Sequence, residues 1–389
     1  MYQCEHGGVV RLKLAVDPDL GPLAAELSSL ARGAGLDAVG ITGAEPFGST
    51  RRHLEQRKAA GLHGGMHFTY GDPARSTDPD RALPGARALV VGARSYRRAA
   101  PAPPRGNGVY GQVARYSWSD HYGPLRDGLG VVARHLEANG WQARVLVDDN
   151  AMVDREAAHR AGLGWYGKNT ALLLPGKGSW FVLGSVVTDA PLPPTTASAA
   201  GGCGSCARCL PACPTGALVE PGVLDARRCL AWLLQAPGTF PIDLRPALGG
   251  RIYGCDDCQE VCPPNRTEDR RHPPPPAGDE DEPWVELVRL LERTDAELLA
   301  HLGRWYIPRR QPRYLRRNAL VALGNVGDGG DGRVVRALVD GLAAGDPLLR
   351  AHAVWAAARL GRGDLVAGLA ASETDPEVRT ELAAAGLTG

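Results

Sequence analysis

The hydrophobic pattern changes along the chain and divides it into zones. Over residues 20–190, helix-like and strand-like stretches alternate. The apolar residues of "PLAAELSSLARGAGL" recur at helical spacing, whereas "ARALVVGARSY" and "ARVLVD" are short β-branched runs between turn signals. Such alternation is typical of an α/β domain. Residues 195–265 hold clustered cysteines, and the Pro- and charge-rich stretch over 266–283 predicts a linker that cannot bury a core.

The last zone, residues 284–389, is rich in Ala and Leu and loosely repetitive. "RRNALVALG" from Arg316, "DPLLRAHAVWAAARLG" from Asp346 and "DPEVRTELAAAG" from Asp375 share an Arg and small apolar residues at helical spacing. Steps of roughly thirty residues predict helical repeats of the HEAT type, with an unrelated helical bundle as the alternative. The predicted fold class is α/β plus α.

Charge and hydropathy limit the classes of partner that this chain can be expected to bind. With 44 Lys and Arg against 43 Asp and Glu, the formal charge is +1, so a nucleic-acid or membrane partner would need a local patch. The first twenty residues lack the apolar core of a signal peptide, and the chain has no apolar run long enough to span a membrane. We therefore expect a cytoplasmic protein with no membrane partner, whose thiols stay reduced.

Eight of the nine cysteines lie in the second zone. The run "CGSCARCLPACP" has the C-x2-C-x2-C-x3-C-P spacing of bacterial-type ferredoxins, in which the fourth cysteine binds the other of two 4Fe–4S clusters. "CDDCQEVCP" and the isolated Cys229 supply the remaining thiols. The crossover predicts one set of Cys203, Cys206, Cys209 and Cys262, and a second of Cys213, Cys229, Cys255 and Cys258. Two Cys4 zinc sites are the alternative. Cys4, in an irregular N-terminal stretch, is expected to have no role.

Two clusters conduct electrons and so imply another redox centre. No G-x-G-x-x-G follows a strand, and neither a P-loop nor the C-x3-C-x2-C spacing of radical enzymes is present. The D-x-H-x-x-G signature of His-ligated cobalamin domains is also missing. Generic motifs therefore leave this centre unidentified.

A more particular pattern precedes the cysteines. Residues 147–184, "VDDNAMVDREAAHRAGLGWYGKNTALLLPGKGSWFVLG", resemble the epoxyqueuosine reductase family, in which V-D leads into R-A-G-x-G-W-x-G-K-N-T and then G-S-W-F-x-L-G. "GLHGGMHF", "ARYSWSDHY", "ALPGARALVV" and the cysteine runs fit as well, so the resemblance covers nearly the whole chain apart from its N-terminus.

The resemblance implies the reduction of epoxyqueuosine to queuosine at the wobble position of tRNA, by cobalamin supplied with electrons from two 4Fe–4S clusters. Residues 20–190 would form the cobalamin-binding catalytic domain and 195–265 a ferredoxin-like domain. The implied partners are tRNA and an external electron donor of the flavodoxin or ferredoxin type, and we expect a monomer.

Removing an epoxide oxygen as water requires protons, so a general acid is needed near the cofactor. Asp148 matches the catalytic Asp of the family. Taken from the residues alone, an Asp at the end of "ARVLV" is typical of a helix cap. Asp149 is the alternative acid if the local match shifts by one position.

The resemblance also implies positions that contact the corrin ring or shape its pocket. They are Arg75 (with Arg81 as the alternative), Ala114, Lys168, Asn169, Leu172, Leu183, Ala231, Cys255 and Asp256. Ordinary core packing is the other interpretation of the two leucines, as it is of Trp165 and Trp180.

A basic stretch offers a nucleic-acid surface. Residues 304–317, "RWYIPRRQPRYLRR", contain no acidic residue and interleave aromatic side chains with arginines, which suit phosphate groups. The predicted tRNA contacts are Arg304, Arg309, Arg310, Arg313, Arg316 and Arg317. The alternative is a solvated helix face with Tyr314 and Leu315 packed inward.

Two other functions stay open at this point. A cobalamin-dependent reductive dehalogenase shares the same cofactors but normally carries an export signal and lacks a helical tail. A non-enzymatic, ferredoxin-like electron carrier would leave residues 20–190 without a purpose.

Overall fold

The computed structural model describes residues 20–196, 199 and 201–386, so Cys4 lies outside the described residues. The strands, in chain order, are β1 (Ala38–Gly43), β2 (Ala88–Ser95), β3 (Tyr110–Val113), β4 (Ala143–Val147), β5 (Trp165–Tyr166), β6 (Leu172–Leu173), β7 (Phe181–Thr188), β8 (Leu218–Glu220), β9 (Val223–Leu224), β10 (Arg251–Tyr253) and β11 (Trp284–Glu286).

The helices run from the start of the described chain to its end. They are α1 (Gly21–Gly33), α2 (Gly48–Ala59), α3 (Pro73–Ser76), α4 (Pro79–Ala82), α5 (Tyr122–Ala138), α6 (Asp154–Arg160), α7 (Cys209–Ala212), α8 (Leu230–Leu233), α9 (Arg245–Leu248), α10 (Asp257–Glu260), α11 (Pro263–Arg271), α12 (Leu287–Glu292), α13 (Asp295–Leu302), α14 (Arg313–Val326), α15 (Gly332–Leu342), α16 (Pro347–Arg359), α17 (Ala367–Ala370) and α18 (Pro376–Ala384).

The N-terminal region is built on a sheet of order β1-β2-β7-β4. All its pairings are antiparallel, and β7, which follows β4 and α6 along the chain, inserts between β2 and β4. The alternation of helix and strand in the sequence correctly predicted a mixed α/β region, but not this antiparallel pairing.

Both faces of this sheet are covered. On one face Val90 and Val186 pack with Leu129 of α5, and on the other Leu89 and Val187 pack against residues of α6. A strand buried on both sides needs apolar residues in succession, which explains the continuous run at the start of β2.

A second, small sheet joins the three zones of the chain. β3 of the N-terminal region pairs with β10 of the cysteine region on one side and with β11, at the start of the C-terminal region, on the other. The predicted domain boundaries are therefore crossed by backbone hydrogen bonds.

The structure of residues 266–283 differs from the predicted linker. Its first residues, up to Arg271, belong to α11, which begins directly after Cys262 with prolines at its first two positions, where a fixed φ favours helix formation. The rest is irregular but ordered against the N-terminal region, since the Ala99 N–H donates to the carbonyl of Pro275 at 2.8 Å.

The C-terminal region is helical, as predicted. Asp346 and Asp375 are the N-caps of α16 and α18, and each precedes a proline and accepts backbone N–H groups. α16 packs against α14, α15 and α18. The assignment of these helices to HEAT-type repeats stays a prediction. In the described part of the chain, no helix combines the length and apolar character needed to cross a membrane.

Candidate active site and cluster region

The eight clustered thiols fall into two groups in space. Burial raises the pKa of the Cys262 thiol to about 11, and the charges of Cys203, Cys209 and Cys206 add to the rise. Likewise, burial and the charges of Cys203 and Cys206 raise the pKa of Cys209. These four thiols are therefore mutual neighbours, although Cys262 follows the first three by more than fifty residues in the sequence.

The second group is formed in the same way. Burial raises the pKa of Cys258, and the charges of Cys255, Cys229 and Cys213 contribute further. The assignment of these thiols to two clusters by the crossover rule stays a prediction. Among the described residues, no three His, Cys, Asp or Glu side chains converge closely enough to hold a single metal ion.

The G-K-N sequence attaches the N-terminal region to the cluster region. The backbone N–H of Lys168 donates to Cys203 Sγ at 3.4 Å, and Lys168 Nζ donates to the carbonyl of Gly204 at 2.8 Å. The buried Asn169 donates through Nδ2 to the carbonyl of Cys258 at 3.2 Å. These two predicted pocket residues therefore hold loops of both thiol groups in place.

Asp148 directly follows β4 with a left-handed φ of 52°. The structure does not use it as a helix cap: Val153 is the N-cap of α6, and in the loop the N–H of Ala151 donates to Asp149 Oδ1 at 2.8 Å. The Asp148 side chain is exposed, yet the surrounding protein partly desolvates its carboxylate and so raises its pKa. Arg126 opposes this rise and Asp149 adds to it.

Two tyrosines and a second carboxyl group lie within electrostatic reach of Asp148. Burial raises the pKa of the Tyr116 and Tyr122 phenols, and the charge of Asp148 adds to both shifts. The Asp154 Oδ1 atom is buried without a hydrogen-bond partner among the described residues, and burial, with the charge of Asp148, raises its pKa well above the usual range. Sequence analysis did not single out these three residues, although "ARYSWSDHY" contains both tyrosines.

Asp256 lies where the cluster region meets the N-terminal region. One of its oxygens accepts the Arg115 N–H at 2.8 Å, while Oδ1 is buried without a hydrogen-bond partner in the described structure. Burial raises the pKa of Asp256 to about 6 despite the opposing Arg115. Beside it, Gly254 has a φ of 71°, and a Cβ there would lie 2.5 Å from Ala114 Cβ, so only glycine allows this close approach.

The other predicted corrin positions have varied surroundings. Leu172 is buried in the core on the α6 side of the sheet. Leu183, on the central strand β7, is partly buried against the same core, and Ala231 is half-buried on α8. Arg75 is exposed on α3, whose Ser76 carbonyl accepts the Val153 N–H at 3.0 Å, so α3 contacts the loop that follows Asp148. The alternative Arg81 forms an ion pair with Asp78 at 3.6 Å.

The basic stretch is only partly available to a nucleic acid. The prediction for Arg317 is wrong: its side chain is buried and donates to the carbonyls of Leu233, Ala236 and Gly238, and burial lowers the pKa of its guanidinium to about 9. It holds α14 against the cluster region and cannot reach a phosphate.

Three of the other arginines are engaged by carboxylates. Arg304 pairs with Glu282 at 2.7 Å, Arg313 with Asp346 at 3.0 Å and Arg316 with Asp295 at 2.5 Å. These pairs explain why the local excess of positive charge is smaller than the sequence indicated.

Arg309 and Arg310 remain as exposed cations, both with left-handed φ angles. Of the interleaved aromatics, Trp305 and Tyr314 are buried, and only Tyr306, which is 58% exposed, offers a face to solvent. The predicted surface thus reduces to the tip of the loop before α14.

Comparison with known proteins identifies the cluster region and then the chain. Residues 202–265 match the family described as a 4Fe-4S double cluster binding domain. An epoxyqueuosine reductase from Xanthomonas campestris is 37% identical over 353 residues, which is 88% of this chain and 98% of the relative. This chain belongs to the epoxyqueuosine reductase family. The epoxyqueuosine reductase of Bacillus cereus is 32% identical over 94% of this chain and 97% of its own length.

Solved structures of epoxyqueuosine reductases share the fold. One bound to a tRNA-Tyr stem loop modified with epoxyqueuosine superimposes with a TM-score of 0.84, at 31% identity, over 94% of this chain and 98% of its own. That of Bacillus subtilis, with a catalytic aspartate loop swung out of the active site, has a TM-score of 0.84 at 30% identity and covers 95% of this chain and 100% of its own.

Proposed function

We propose that this protein reduces epoxyqueuosine to queuosine at the wobble position of tRNA. The observation that carries the proposal is a carboxyl group of raised pKa, Asp148, in an N-terminal region that contacts the region holding the eight clustered thiols. The full-length relatives named as epoxyqueuosine reductases support the reaction, and the relative bound to a modified stem loop supports tRNA as the substrate.

The reaction consumes two electrons and two protons for each epoxide. Both C–O bonds break, a carbon–carbon double bond forms, and the oxygen leaves as water. The thiol groups fit two 4Fe–4S clusters, which would deliver the electrons one at a time. The assignment of Cys203, Cys206, Cys209 and Cys262 to one cluster, and of Cys213, Cys229, Cys255 and Cys258 to the other, is part of this proposal.

Residues at the junction of the regions fit cobalamin. Buried carboxyl oxygens of Asp154 and Asp256 without partners in the described structure would accept hydrogen bonds from its amide side chains. Ala114 and Ala231 would contact the ring through their small side chains. Arg75, Leu172 and Leu183 complete the proposed contacts. When bound, cobalamin would supply low-valent cobalt as the electron source for the epoxide.

Asp148 would supply a proton to the departing oxygen. A raised pKa keeps part of its population protonated nearer neutral pH, which is the state a general acid needs. The Asp148 backbone lies in the left-handed region, and the turn that follows it is stabilised by Asp149. The same turn leaves the carboxyl group of Asp148 free for a substrate.

The proposed domain roles follow. Residues 20–190 would bind cobalamin and catalyse, residues 195–265 would hold both clusters, and residues 284–389 would form HEAT-like repeats that help to bind tRNA. Within the last region, Arg309, Arg310 and Tyr306 are the exposed groups that we expect at phosphates and bases.

The test is conversion of epoxyqueuosine in purified tRNA by protein reconstituted anaerobically with iron, sulfide and cobalamin, measured by mass spectrometry of the nucleosides. The wild type should form queuosine, Asp148→Asn should be at least about a hundredfold slower, and the matched Asp149→Asn should retain most of the activity. Fully loaded wild-type protein that forms no queuosine would refute the proposed function. Equal activity of the two variants would refute the role of Asp148.

A further inference from the structure

The first thiol group lies close to the protein surface. Cys203, Cys206 and Cys209 are half-buried, and the residues between them are exposed. Gly204, with a φ of 50°, keeps this loop free of a side chain at its turn. A cluster held here would have an edge accessible from outside the protein.

Four cations lie on the segments that form or adjoin this edge. Arg208 lies between two of the thiols in the sequence, and Lys168 binds the loop through the contacts to Cys203 and Gly204 described above. Arg266 lies one helical turn after Cys262 on α11, since its N–H donates to the Cys262 carbonyl at 3.0 Å.

The fourth cation, Lys177, is exposed in the loop between β6 and β7. That loop packs on α11, because the Ser179 N–H donates to Asn265 Oδ1 at 2.7 Å. Lys177 and Arg266 are therefore exposed on neighbouring segments, and the segment of Arg266 begins at Cys262.

These cations are not neutralised locally. Within the described ranges, none of the four has a carboxylate within 4.0 Å. The acidic residues on α10 and α11 have other partners: Asp257 pairs with Arg251, Glu260 with Arg115, Glu268 with His272 and Asp269 with Arg97. The surface around the first thiol group is thus positive in a chain whose formal charge is only +1.

We propose that this surface, formed by residues 201–208 with Lys168, Lys177 and Arg266, docks the acidic face of a one-electron carrier protein of the flavodoxin or ferredoxin class. The inference rests on the proposed function, because the reduction needs two electrons from outside the chain. Two carrier molecules would each lose one electron to the cluster edge; of the two protons, one would pass through Asp148, which solvent reprotonates, and the other would come from solvent. Positive charge around an accessible redox edge favours such an encounter and orients it.

The second thiol group favours a different partner. Cys255 adjoins Asp256, whose Oδ2 accepts the backbone N–H of Arg115, the residue after the proposed cobalamin contact Ala114, at 2.8 Å. The proposed substrate site is therefore on the side of the second group. Donor and tRNA would then occupy separate faces, and electrons would pass from the first cluster to the second.

The test reverses two of these charges without touching the predicted cluster ligands or pocket residues. Lys177→Glu with Arg266→Glu is compared with Arg336→Glu and Arg379→Glu, exposed arginines on α15 and α18 that give the same change in net charge. Stopped-flow absorbance would follow cluster reduction by reduced flavodoxin, by reduced ferredoxin and by reduced methyl viologen. Iron content and tRNA affinity are measured in parallel.

For the first variant, the bimolecular rate constant with the carriers should fall about tenfold or more at low ionic strength, and the difference should shrink as salt is added. The control pair should behave as the wild type. Methyl viologen should reduce all proteins equally, and iron content should not change. Carrier rates equal to the wild type, or a wild type that neither carrier reduces, would overturn the proposal.

A loss of tRNA affinity with unchanged carrier rates would also overturn it, by making the surface a nucleic-acid site. Queuosine formation with methyl viologen as the reductant tests the proposed function separately. Failure there would leave the carrier kinetics interpretable, because they require only loaded clusters.

Discussion

A buried ion pair joins the cluster region to the last helix. Arg245 on α9 is fully buried and donates to both oxygens of Glu381 on α18, at 2.9 and 2.5 Å, and to the carbonyl of Phe240 at 2.9 Å. We predict that Arg245→Met destabilises the protein far more than loss of an exposed pair, because it leaves the Glu381 carboxylate buried and uncompensated.

The magnitude follows from that burial. Removing one partner of a buried, hydrogen-bonded pair costs about 3–5 kcal/mol. With an unfolding entropy of about 2.1 cal/mol/K per residue, the whole chain unfolding as one unit has an entropy of about 0.8 kcal/mol/K. The melting temperature should therefore fall by about 4–6 °C.

The assay is an anaerobic thermal melt of the loaded protein, followed by circular dichroism. Arg51→Met is the control, since the Arg51–Glu55 pair is half-exposed on both sides and should cause no resolvable change. Replacing both partners, as Arg245→Met with Glu381→Leu, should restore at least half of the loss, because no charge is left buried. An Arg245→Met variant with the same melting temperature as the control, or a double variant no more stable than the single one, would contradict this prediction.

Four further predictions follow from the site and the helical region. Because the protonated Asp148 is the proposed acid and its pKa is raised, the rate of epoxide reduction should fall as pH rises through that pKa. The residual rate of Asp148→Asn should not show this fall, and a fall that persists in the variant would assign the titration to another group. Cys213→Ser should lose about half of the bound iron and the cluster formed mainly by the downstream cysteines, whereas loss of the upstream cluster alone would contradict the crossover. Arg309→Glu with Arg310→Glu should weaken tRNA binding and flatten its salt dependence, and an unchanged salt series would place the RNA surface elsewhere. Burial keeps the pKa of His352 well below 6.5, so the stability that the neutral histidine provides is complete above pH 6.5 and is lost as pH falls. The free energy of unfolding of His352→Gln should decline less with falling pH, and an equal decline in both proteins would show that His352 is not its cause.

Some features could be predicted because local sequence determines them. The gaps between cysteines predict a double-cluster region, and residues 202–265 match such a domain, whereas the placing of the distant Cys262 with the first three thiols stays a prediction. The Asp-Pro pairs at 346 and 375 predict helix starts through capping and a fixed φ, and both helices begin there. Only the family resemblance favoured a catalytic Asp148 over a helix-capping one. The local pattern could not separate the two interpretations, because the neighbouring Asp149 is the residue that stabilises the turn.

Other features depend on tertiary packing. Periodicity detects strands but not their neighbours, so it missed the insertion of β7 between β2 and β4. A basic run does not reveal which side chains are buried, and Arg317 belongs to the contact between α14 and the cluster region. The closeness of Tyr116 and Asp154 to Asp148 depends on which segments meet, and no local spacing encodes that contact.

The small sheet of β3, β10 and β11 constrains how this chain can be divided. A protein ending before Trp284 would lose β11 and leave one edge of β3 with unpaired backbone groups, a template for aggregation. A protein beginning at residue 195 would lose β3 and isolate both β10 and β11. The cluster region is therefore unsuited to excision as an independent ferredoxin, and loss of the C-terminal helices by truncation should impair solubility and iron loading before it reveals any effect on tRNA.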